Sequence, residues 1–189
     1  MKIFGSCASS DYIDDKYKSM GKEIGEFIGK SNHTLVFGSS KNGIMGEVYT
    51  NTKKHGGKII AILPKSKYGV LTDLDCDQLI VVEKDTDQFH DLVKHNDAII
   101  VLPGSTGMLA ELCLAIHYNS FAENRKKVII VNQYGFFEYI LKAFDKFVEE
   151  KFAYGVEGNL YDVVDTVEEA IQLLNDQISW KGWLKYFTI

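Results

Sequence analysis

The segment VLPGSTGMLAELCLAI, from Val101 to Ile116, places a glycine-rich turn and a lone carboxylate in an otherwise apolar run. Glu111 is the only formally charged side chain between Ala98 and Ala122, so a helix that carries it is apolar on nearly every face. Such a helix usually lies in the core, where a carboxylate is costly unless it is paired, hydrogen-bonded or open to a cavity. Glu111 is therefore a candidate for chemistry. The competing interpretation is a buried glutamate that backbone groups or a lysine satisfy.

Three loops rich in glycine and small polar residues each follow a predicted strand: FGSCASSD, FGSSKNGIMG and PGSTG. In open parallel sheets such loops lie at the carboxyl ends of the strands, where backbone N–H groups of the next helix can hold anions. One such turn would be weak evidence, but three on the same edge predict a phosphate-lined pocket. The loops match neither GxGxxG nor the P-loop GxxxxGK followed by Ser or Thr, so an ordinary NAD or ATP site receives little support.

The candidate residues for binding a phosphate or nucleotide lie in these loops and at their borders. They are Gly5, Ser6, Gly38, Ser39, Ser40, Asn42, Gly43, Met45, Gly46, Gly104, Ser105, Thr106, Gly107 and Met108. Hydroxyl and amide side chains at such places also cap helices, so a turn and helix start without a ligand is the alternative for each loop. Met45 by itself is more typical of a core residue than of a ligand contact.

Short β-branched runs alternate with helix-like segments along the chain. The predicted strands are residues 2–6, 34–39, 58–64, 78–83, 97–104 and 127–132, and the predicted helices are 14–29, 43–55, 85–94, 107–121, 136–151 and one that follows Thr166. Thr166 and Glu169 have the spacing of a capping box at the start of that last helix. The alternation predicts one doubly wound, Rossmann-like α/β domain over residues 1–189, with a mainly parallel sheet flanked by helices.

Composition limits the classes of function. The chain has 189 residues, of which 46% are hydrophobic, enough for the core of one domain. The formal net charge is −5, which argues against nucleic-acid partners and against binding to an anionic membrane surface. Pro103-Gly104 interrupts the longest apolar stretch, and the N-terminal apolar run is too short for a signal peptide. Small molecules or protein partners remain.

The three cysteines, Cys7, Cys76 and Cys113, are widely spaced and form no CxxC pair. An odd number without such a pair favours reduced thiols, and hence a cytoplasmic protein, over a disulfide framework. No metal-ligand spacing is present either. Cys7 is not favoured as a nucleophile because no histidine is placed to activate it. The aromatic segment ISWKGWLKYF near the C-terminus has three interpretations: a pocket lid, a dimer contact, or a cover for the core.

These motifs together resemble the Lonely Guy family, often described as possible lysine decarboxylases, whose members cleave nucleoside 5'-monophosphates into free base and ribose 5-phosphate. The family pattern PGGxGTxxE aligns with PGSTGMLAE, from Pro103 to Glu111. The similarity extends over most of the chain, through IFGSCASSD, LVFGSSKNGIMGEV, GGKIIAILP and KVIIVNQYGFFEYILKAFDKFVEE.

The resemblance implies a nucleotide as the small-molecule ligand and a reaction that needs neither a metal nor a redox cofactor. Glu111 would lie beside the ribose, where a carboxylate stabilises oxocarbenium-like charge and orients the attacking water. The N-terminus of its helix would hold the 5'-phosphate. The resemblance also implies a homodimer. This agrees with the predicted helix over residues 107–121, whose apolar surface is larger than it needs to cover one face of the sheet.

Three departures from the family pattern leave the activity open. Ser105 replaces the second glycine of PGG, Met108 replaces the threonine, and Gln88 stands where the family has its arginine. One hypothesis is a phosphoribohydrolase; the alternative is a nucleotide-binding sensor or carrier whose hydrolytic machinery has decayed. Lysine decarboxylation is disfavoured because no lysine lies in a setting suited to a Schiff base with pyridoxal phosphate.

Overall fold

A computed structural model describes residues 1–68, 74–153 and 160–176. The strands are β1 (Lys2–Ser6), β2 (Thr34–Phe37), β3 (Lys58–Pro64), β4 (Gln78–Val82), β5 (Ala98–Val101), β6 (Lys127–Val131) and β7 (Asp162–Val164), and the helices are α1 (Asp15–Lys30), α2 (Gly43–Lys54), α3 (Asp85–Lys94), α4 (Thr106–Phe121), α5 (Glu138–Glu149) and α6 (Val167–Asn175). The aromatic segment near the C-terminus lies outside the described residues. Within them, no helix is long and apolar enough to cross a membrane.

The strands form one parallel sheet in the order β4-β3-β2-β1-β5-β6-β7. The predicted doubly wound α/β fold is therefore confirmed, and all six predicted strands are present. The sequence did not predict β7. This strand lies at the edge of the sheet, pairs with β6, and has only three residues, which are too few to show an alternation of apolar and polar side chains. Half of the predicted capping box is present: Thr166 Oγ1 accepts a hydrogen bond from the backbone N–H of Glu169 at 3.2 Å, whereas the Glu169 carboxylate accepts from the N–H of Asp165 instead of that of Thr166.

Side chains alternate along the strands between two cores, one on each face of the sheet. Ile3 and Leu35 point into the core covered by α1, α2 and α6. Phe4 and Val36 point into the core covered by α3, α4 and α5. Both faces are thus covered by helices, which explains why the central strands read as continuous apolar runs.

The order in which strands are added to the sheet reverses at β1. Strands β2, β3 and β4 are added on one side of β1, and β5 then returns to pair with its other side, with Ser6 opposite Val101. The loops that leave the carboxyl ends of β1 and β5 therefore run to opposite faces and leave a crevice between them, which is where open α/β sheets bind ligands.

Helices α1 and α2 pack with almost direct contact between their backbones. Gly21, Gly25 and Gly29 are buried and recur every four residues on α1. A Cβ atom at Gly25 would lie 2.5 Å from the carbonyl oxygen of Val48, and one at Gly21 would lie 2.6 Å from that of Ile44. This contact places the second turn of α1 against the first turn of α2, near the ligand edge of the sheet.

We predict that Gly25→Ala destabilises the fold. Overpacking costs roughly 1–3 kcal/mol, whereas alanine is better than glycine in a helix by about 1 kcal/mol, so a net loss is expected only where the contact is as tight as this one. Gly107→Ala is the matched control, because a Cβ there would meet nothing within 4 Å. Urea unfolding should show lower stability for Gly25→Ala and equal or higher stability for Gly107→Ala. Equal stability of Gly25→Ala and the unsubstituted protein would contradict the close packing.

Candidate functional site

A buried hydrogen bond joins β1 to α4 at the crevice. Glu111 lies in the second turn of α4 and is 8% exposed, and Ser6, the last residue of β1, is 0% exposed. The Ser6 hydroxyl donates to Oε2 of Glu111 at 2.5 Å. The lone charge that the sequence singled out is thus buried at the point where the strand order reverses, and its partner comes from the first strand.

Burial governs the ionisation of this carboxyl group. Loss of solvent raises the pKa of Glu111 to about 7, and the hydrogen bond from Ser6 opposes that rise. A carboxyl group that titrates near neutral pH can either donate or accept a proton at physiological pH, as general acid–base catalysts do. The environment of Glu111 is therefore that of a working acid or base rather than of a permanently charged surface glutamate.

The thiol beside this pair is inert. Burial raises the pKa of the Cys7 thiol, and the nearby charge of Glu111 raises it further, so Cys7 stays protonated. All three cysteines are free thiols. In the part of the chain that the structure describes, no group of three or more His, Cys, Asp or Glu residues is placed to hold a metal ion.

The structure brings the three predicted ligand loops together. The backbone N–H of Ala8, in the loop after β1, donates to the carbonyl oxygen of Pro103 after β5 at 3.0 Å. The carbonyl oxygen of Ala8 accepts from the N–H of Met45 in α2 at 3.0 Å. The Asp11 carboxylate accepts from the N–H of Gly43 at 2.8 Å. The first loop is therefore bonded to both of the others, and the three form one surface.

The PGSTG loop leaves the N-terminus of α4 open. Ser105 is the N-cap residue, but its side chain makes no capping hydrogen bond, and Ser105 and Thr106 are both exposed. A Cβ at Gly104 would lie 2.6 Å from Cβ of Met108, so the turn requires glycine there, whereas Gly107 faces open space. The first-turn N–H groups of a helix have no acceptor within the helix. This terminus is accordingly suited to an anion.

The loop after β2 has a strained backbone. Ser39 is buried with φ of 77°, a left-handed conformation that is costly for a residue with a Cβ atom, and its hydroxyl donates to the carbonyl oxygen of Gly38. Ser40 Oγ accepts from the N–H of Asn42 at 3.2 Å. Asn42 precedes α2 and is exposed, and its side chain makes no capping bond. The first-turn N–H groups of Gly43 and Met45 are bonded instead to the Asp11 carboxylate and the carbonyl oxygen of Ala8, so the start of α2 is closed by the loop after β1.

Four of the residues predicted to bind a ligand lie in the strands, helices or cores that carry the loops, and not on the loop surface. Gly5 lies inside β1, and Met108 is buried in the core beneath α4. Met45 packs partly against the opposite core. Gly46 lies in α2, where a Cβ atom would meet the carbonyl oxygen of Lys41. The loop motif contains both surface and supporting residues, and the sequence alone does not separate them.

Gln88, which the sequence analysis placed at the position of the family's arginine, has a structural role in the fold. It is buried, and its Nε2 donates to the carbonyl oxygens of Ile62 at 2.7 Å and Gly38 at 3.3 Å, which ties the ends of β3 and β2 together. The only arginine of the chain, Arg125, donates from Nε to the carbonyl oxygen of Asn119 near the C-terminal end of α4. It therefore lies at the end of α4 opposite the PGSTG loop and cannot replace the missing arginine.

Sequence reasoning missed an aromatic cluster at the same edge of the sheet. The ring of Tyr17, in the first turn of α1, lies 5.8 Å from that of Tyr134 and 5.9 Å from that of Phe136, both in the loop after β6. Lys16 Nζ lies 5.2 Å from the centre of the Tyr134 ring. Tyr134 is exposed and has φ of 64°. The aromatic residues on either side of Gly135, directly after a strand, are the signal that could have found it.

Comparison with known proteins identifies the family. A family model described as "Possible lysine decarboxylase" matches residues 45–174, which is more than half of the chain. The chain belongs to this family. It is the Lonely Guy family that the sequence resembles, and the curated relatives carry the corresponding names.

The relatives of this Lonely Guy family protein are named as enzymes, whereas some of its structural neighbours are named as carriers. A cytokinin riboside 5'-monophosphate phosphoribohydrolase of Arabidopsis thaliana is 28% identical over 171 residues, 90% of this chain and 80% of that protein. One of Mycobacterium tuberculosis is 28% identical over 154 residues, 81% of this chain and 82% of that protein. The molybdenum cofactor carrier protein of Chlamydomonas reinhardtii has a TM-score of 0.72 at 20% identity, over 92% of this chain and 95% of the other. At that identity the last likeness shows the fold alone.

For this family member we predict that Glu111→Gln is more stable than the unsubstituted protein at alkaline pH. The pKa of Glu111 is raised from 4.5 to about 7 in the folded state, so between these values the folded protein binds more protons than the unfolded chain. The stability that the protonated carboxyl contributes is complete below pH 4.5 and is lost as the pH rises through 7. The full loss is roughly 3 kcal/mol, which a neutral glutamine avoids.

Urea unfolding at pH 5 and pH 8 measures this effect. The advantage of Glu111→Gln should be larger at pH 8 than at pH 5. Glu26→Gln is a control of opposite sign, because a hydrogen bond from Lys30 lowers the pKa of Glu26, and losing that carboxylate should not stabilise the fold at pH 8. Parallel stability curves for Glu111→Gln and the unsubstituted protein would show that Glu111 is not the buried titrating group.

Proposed function

We propose that this protein binds a nucleoside 5'-monophosphate at the carboxyl ends of β1, β2 and β5 and hydrolyses its N-glycosidic bond. The observation that supports this proposal is the position of Glu111, a buried carboxyl with a pKa near 7, in the second turn of a helix whose first turn is open to an anion. The names of the curated relatives support the same reaction.

The spacing along α4 fits the two ends of the substrate. Glu111 follows Thr106 by five residues, which is roughly 7.5 Å along a helix axis. A 5'-phosphate on the first-turn N–H groups would therefore place the ribose beside the carboxylate. Both groups that the reaction needs, an anion site and a carboxylate, are then supplied by one rigid helix.

The reaction follows from this placement. The bond between the anomeric carbon and the base nitrogen breaks, its electron pair leaves with the base, and positive charge develops on the sugar. An ionised Glu111 stabilises that charge and accepts a proton from the water whose oxygen bonds to the anomeric carbon. The base takes up a proton from solvent as it leaves, Glu111 returns the proton of the attacking water to solvent, and ribose 5-phosphate remains on the helix N-terminus.

The second candidate is a nucleotide carrier or sensor that does not turn its ligand over. Gln88 is the observation that favours it, because a neutral amide bonded to two backbone carbonyl groups does not supply the charge-assisted hydrogen bond of an arginine. Losing one such bond costs about 1.5–3 kcal/mol, or roughly 10- to 150-fold in a rate. The pocket itself depends on backbone donors and survives that loss.

We predict ligand binding with slow base release. At about 100 times its Kd a nucleoside monophosphate stabilises the folded state by about 2.7 kcal/mol, which for a chain of this length raises the unfolding midpoint by roughly 5–11 °C. Thermal shift with a panel of nucleoside monophosphates measures binding, and chromatography of the free base measures turnover. Glu111→Gln should abolish release and retain most of the shift.

Glu26→Gln is the matched control for that experiment, because Glu26 lies at the far end of α1 and pairs with Lys30. It should leave both the shift and the release unchanged. Robust release by Glu111→Gln would contradict the assigned role of Glu111. A thermal shift without any release in the unsubstituted protein would favour the carrier.

We also propose that the protein is a homodimer through the exposed apolar face of α4. Helix α4 is apolar on nearly all sides, yet Phe121 is 79% exposed and Tyr118 is also exposed. The Tyr118 hydroxyl lies 2.7 Å from Nδ1 of His90, so this face lies on the α3 side of α4. A helix that is apolar on nearly all sides is normally covered on all of them, and a second copy of the chain would supply that cover symmetrically.

We predict that light scattering at micromolar concentration gives a particle of twice the 21.3 kDa chain mass. Phe121→Asp should shift the particle toward the monomer, since it places a charge in the proposed contact. Tyr68→Asp changes an exposed aromatic residue after β3 and should leave the dimer intact. A monomer for the unsubstituted protein would refute the proposal.

A further inference from the structure

We propose that Ser6 is a positioning residue for Glu111: its hydroxyl holds one carboxylate oxygen and leaves the other to the ligand. This inference rests on the proposed function, because it assigns Ser6 a task in the site where Glu111 acts. The sequence placed Ser6 among the residues that contact the nucleotide. Its complete burial and its bond to Glu111 support a different role.

The two oxygens of the Glu111 carboxylate have different surroundings. Oε2 accepts the Ser6 hydroxyl at 2.5 Å. Oε1 accepts no hydrogen bond from the residues that the structure describes. Among those residues, Asn96 Oδ1 is the only fully buried side-chain oxygen or nitrogen without a partner, so Oε1 retains access to solvent. One oxygen is thus anchored, and the other is available to a water molecule or a ribose hydroxyl.

The anchor is rigid because it belongs to the sheet. Ser6 pairs in register with Val101 of β5, and its carbonyl oxygen accepts from the N–H of Leu102 at 2.9 Å. A serine hydroxyl has one proton to donate, and here that proton is used on Glu111. The carboxylate therefore has a fixed orientation relative to the PGSTG loop, which begins directly after β5.

The same bond sets when the carboxyl ionises. Burial raises the pKa of Glu111, and donation from Ser6 to the ionised form lowers it. The Cys7 thiol is the other titratable group that faces Glu111, and its own pKa is raised by the contact. No charged side chain in the described residues shifts Glu111. Ser6 is thus the group that keeps the ionised form accessible near neutral pH.

The test is the titration of Glu111 in Ser6→Ala, followed by NMR of protein labelled with carbon-13 at the glutamate carboxyl groups. Glu111→Gln identifies the signal by its loss. Without the hydroxyl we expect the Glu111 midpoint to rise by about one pH unit, a tenfold change in proton affinity. In base release, the acidic limb of the kcat profile should move in the same direction, with KM for the nucleoside monophosphate little changed.

Two further variants make the result specific. Thr52→Val removes another buried hydroxyl, which donates to the carbonyl oxygen of Gly25 at 3.4 Å, and should leave the Glu111 midpoint unchanged. Ser6→Cys retains a weak hydrogen-bond donor and should raise the Glu111 midpoint less than Ser6→Ala does. If Ser6→Ala fails to fold, the midpoint in Ser6→Cys serves as the test. An unchanged midpoint in the folded Ser6 variants would overturn the proposal. Because the titration needs no turnover, absence of base release would count against the proposed reaction and not against the role of Ser6.

Discussion

The parallel pairing of β1 with β5 is the constraint on which the rest of the site depends. It places Ser6 opposite Val101, so the carboxyl ends of the two strands that lead to different faces of the sheet lie side by side. At this reversal the helix that follows β5 presents a side chain to the end of β1, in the crevice where open α/β sheets bind ligands. The bond from Ser6 to Glu111 uses this geometry, and it converts a buried carboxylate, which is costly alone, into a partly satisfied one that still titrates near neutral pH.

Close backbone contacts then hold the loops around that bond. The three buried glycines of α1 let α2 approach until its first turn lies against the second turn of α1. Gly43 lies so close to the loop after β1 that a Cβ there would be 2.5 Å from the carbonyl oxygen of Ser10. The strain at Ser39 is offset by this packing. The resulting surface consists of the open start of α4 and small side chains. Under the proposed function, this surface would accept the phosphate of a ligand without a change of its backbone, which would limit the entropy lost on binding.

Much of this architecture could be predicted from local patterns, and the rest required the topology. The strands, the helix over residues 107–121 and the importance of Glu111 follow from apolar periodicity and from one charge in an apolar run. The partner of Glu111 does not, because Ser6 is 105 residues away and meets it only through the order of the strands. The spacing of the α1 glycines is visible in the sequence, but the helix that they face is not. The aromatic cluster depends on a left-handed turn at Tyr134, which no local preference of tyrosine predicts.

Gln88, which the sequence analysis placed at the position of the family's arginine, has a structural role in the fold. Its amide donates hydrogen bonds to two backbone carbonyl oxygens at the ends of β2 and β3. The side chain therefore supports the loop after β2. A guanidinium group bonded to the same carbonyls would bring a buried charge without a carboxylate to balance it, and that arrangement is costly. The amide is therefore the better residue for the structure and the poorer one for charge stabilisation. If the protein catalyses the proposed reaction, the N-terminus of α4 and the Glu111 carboxylate would stabilise its transition state, and both lie on one helix that is bonded to β1 through Ser6.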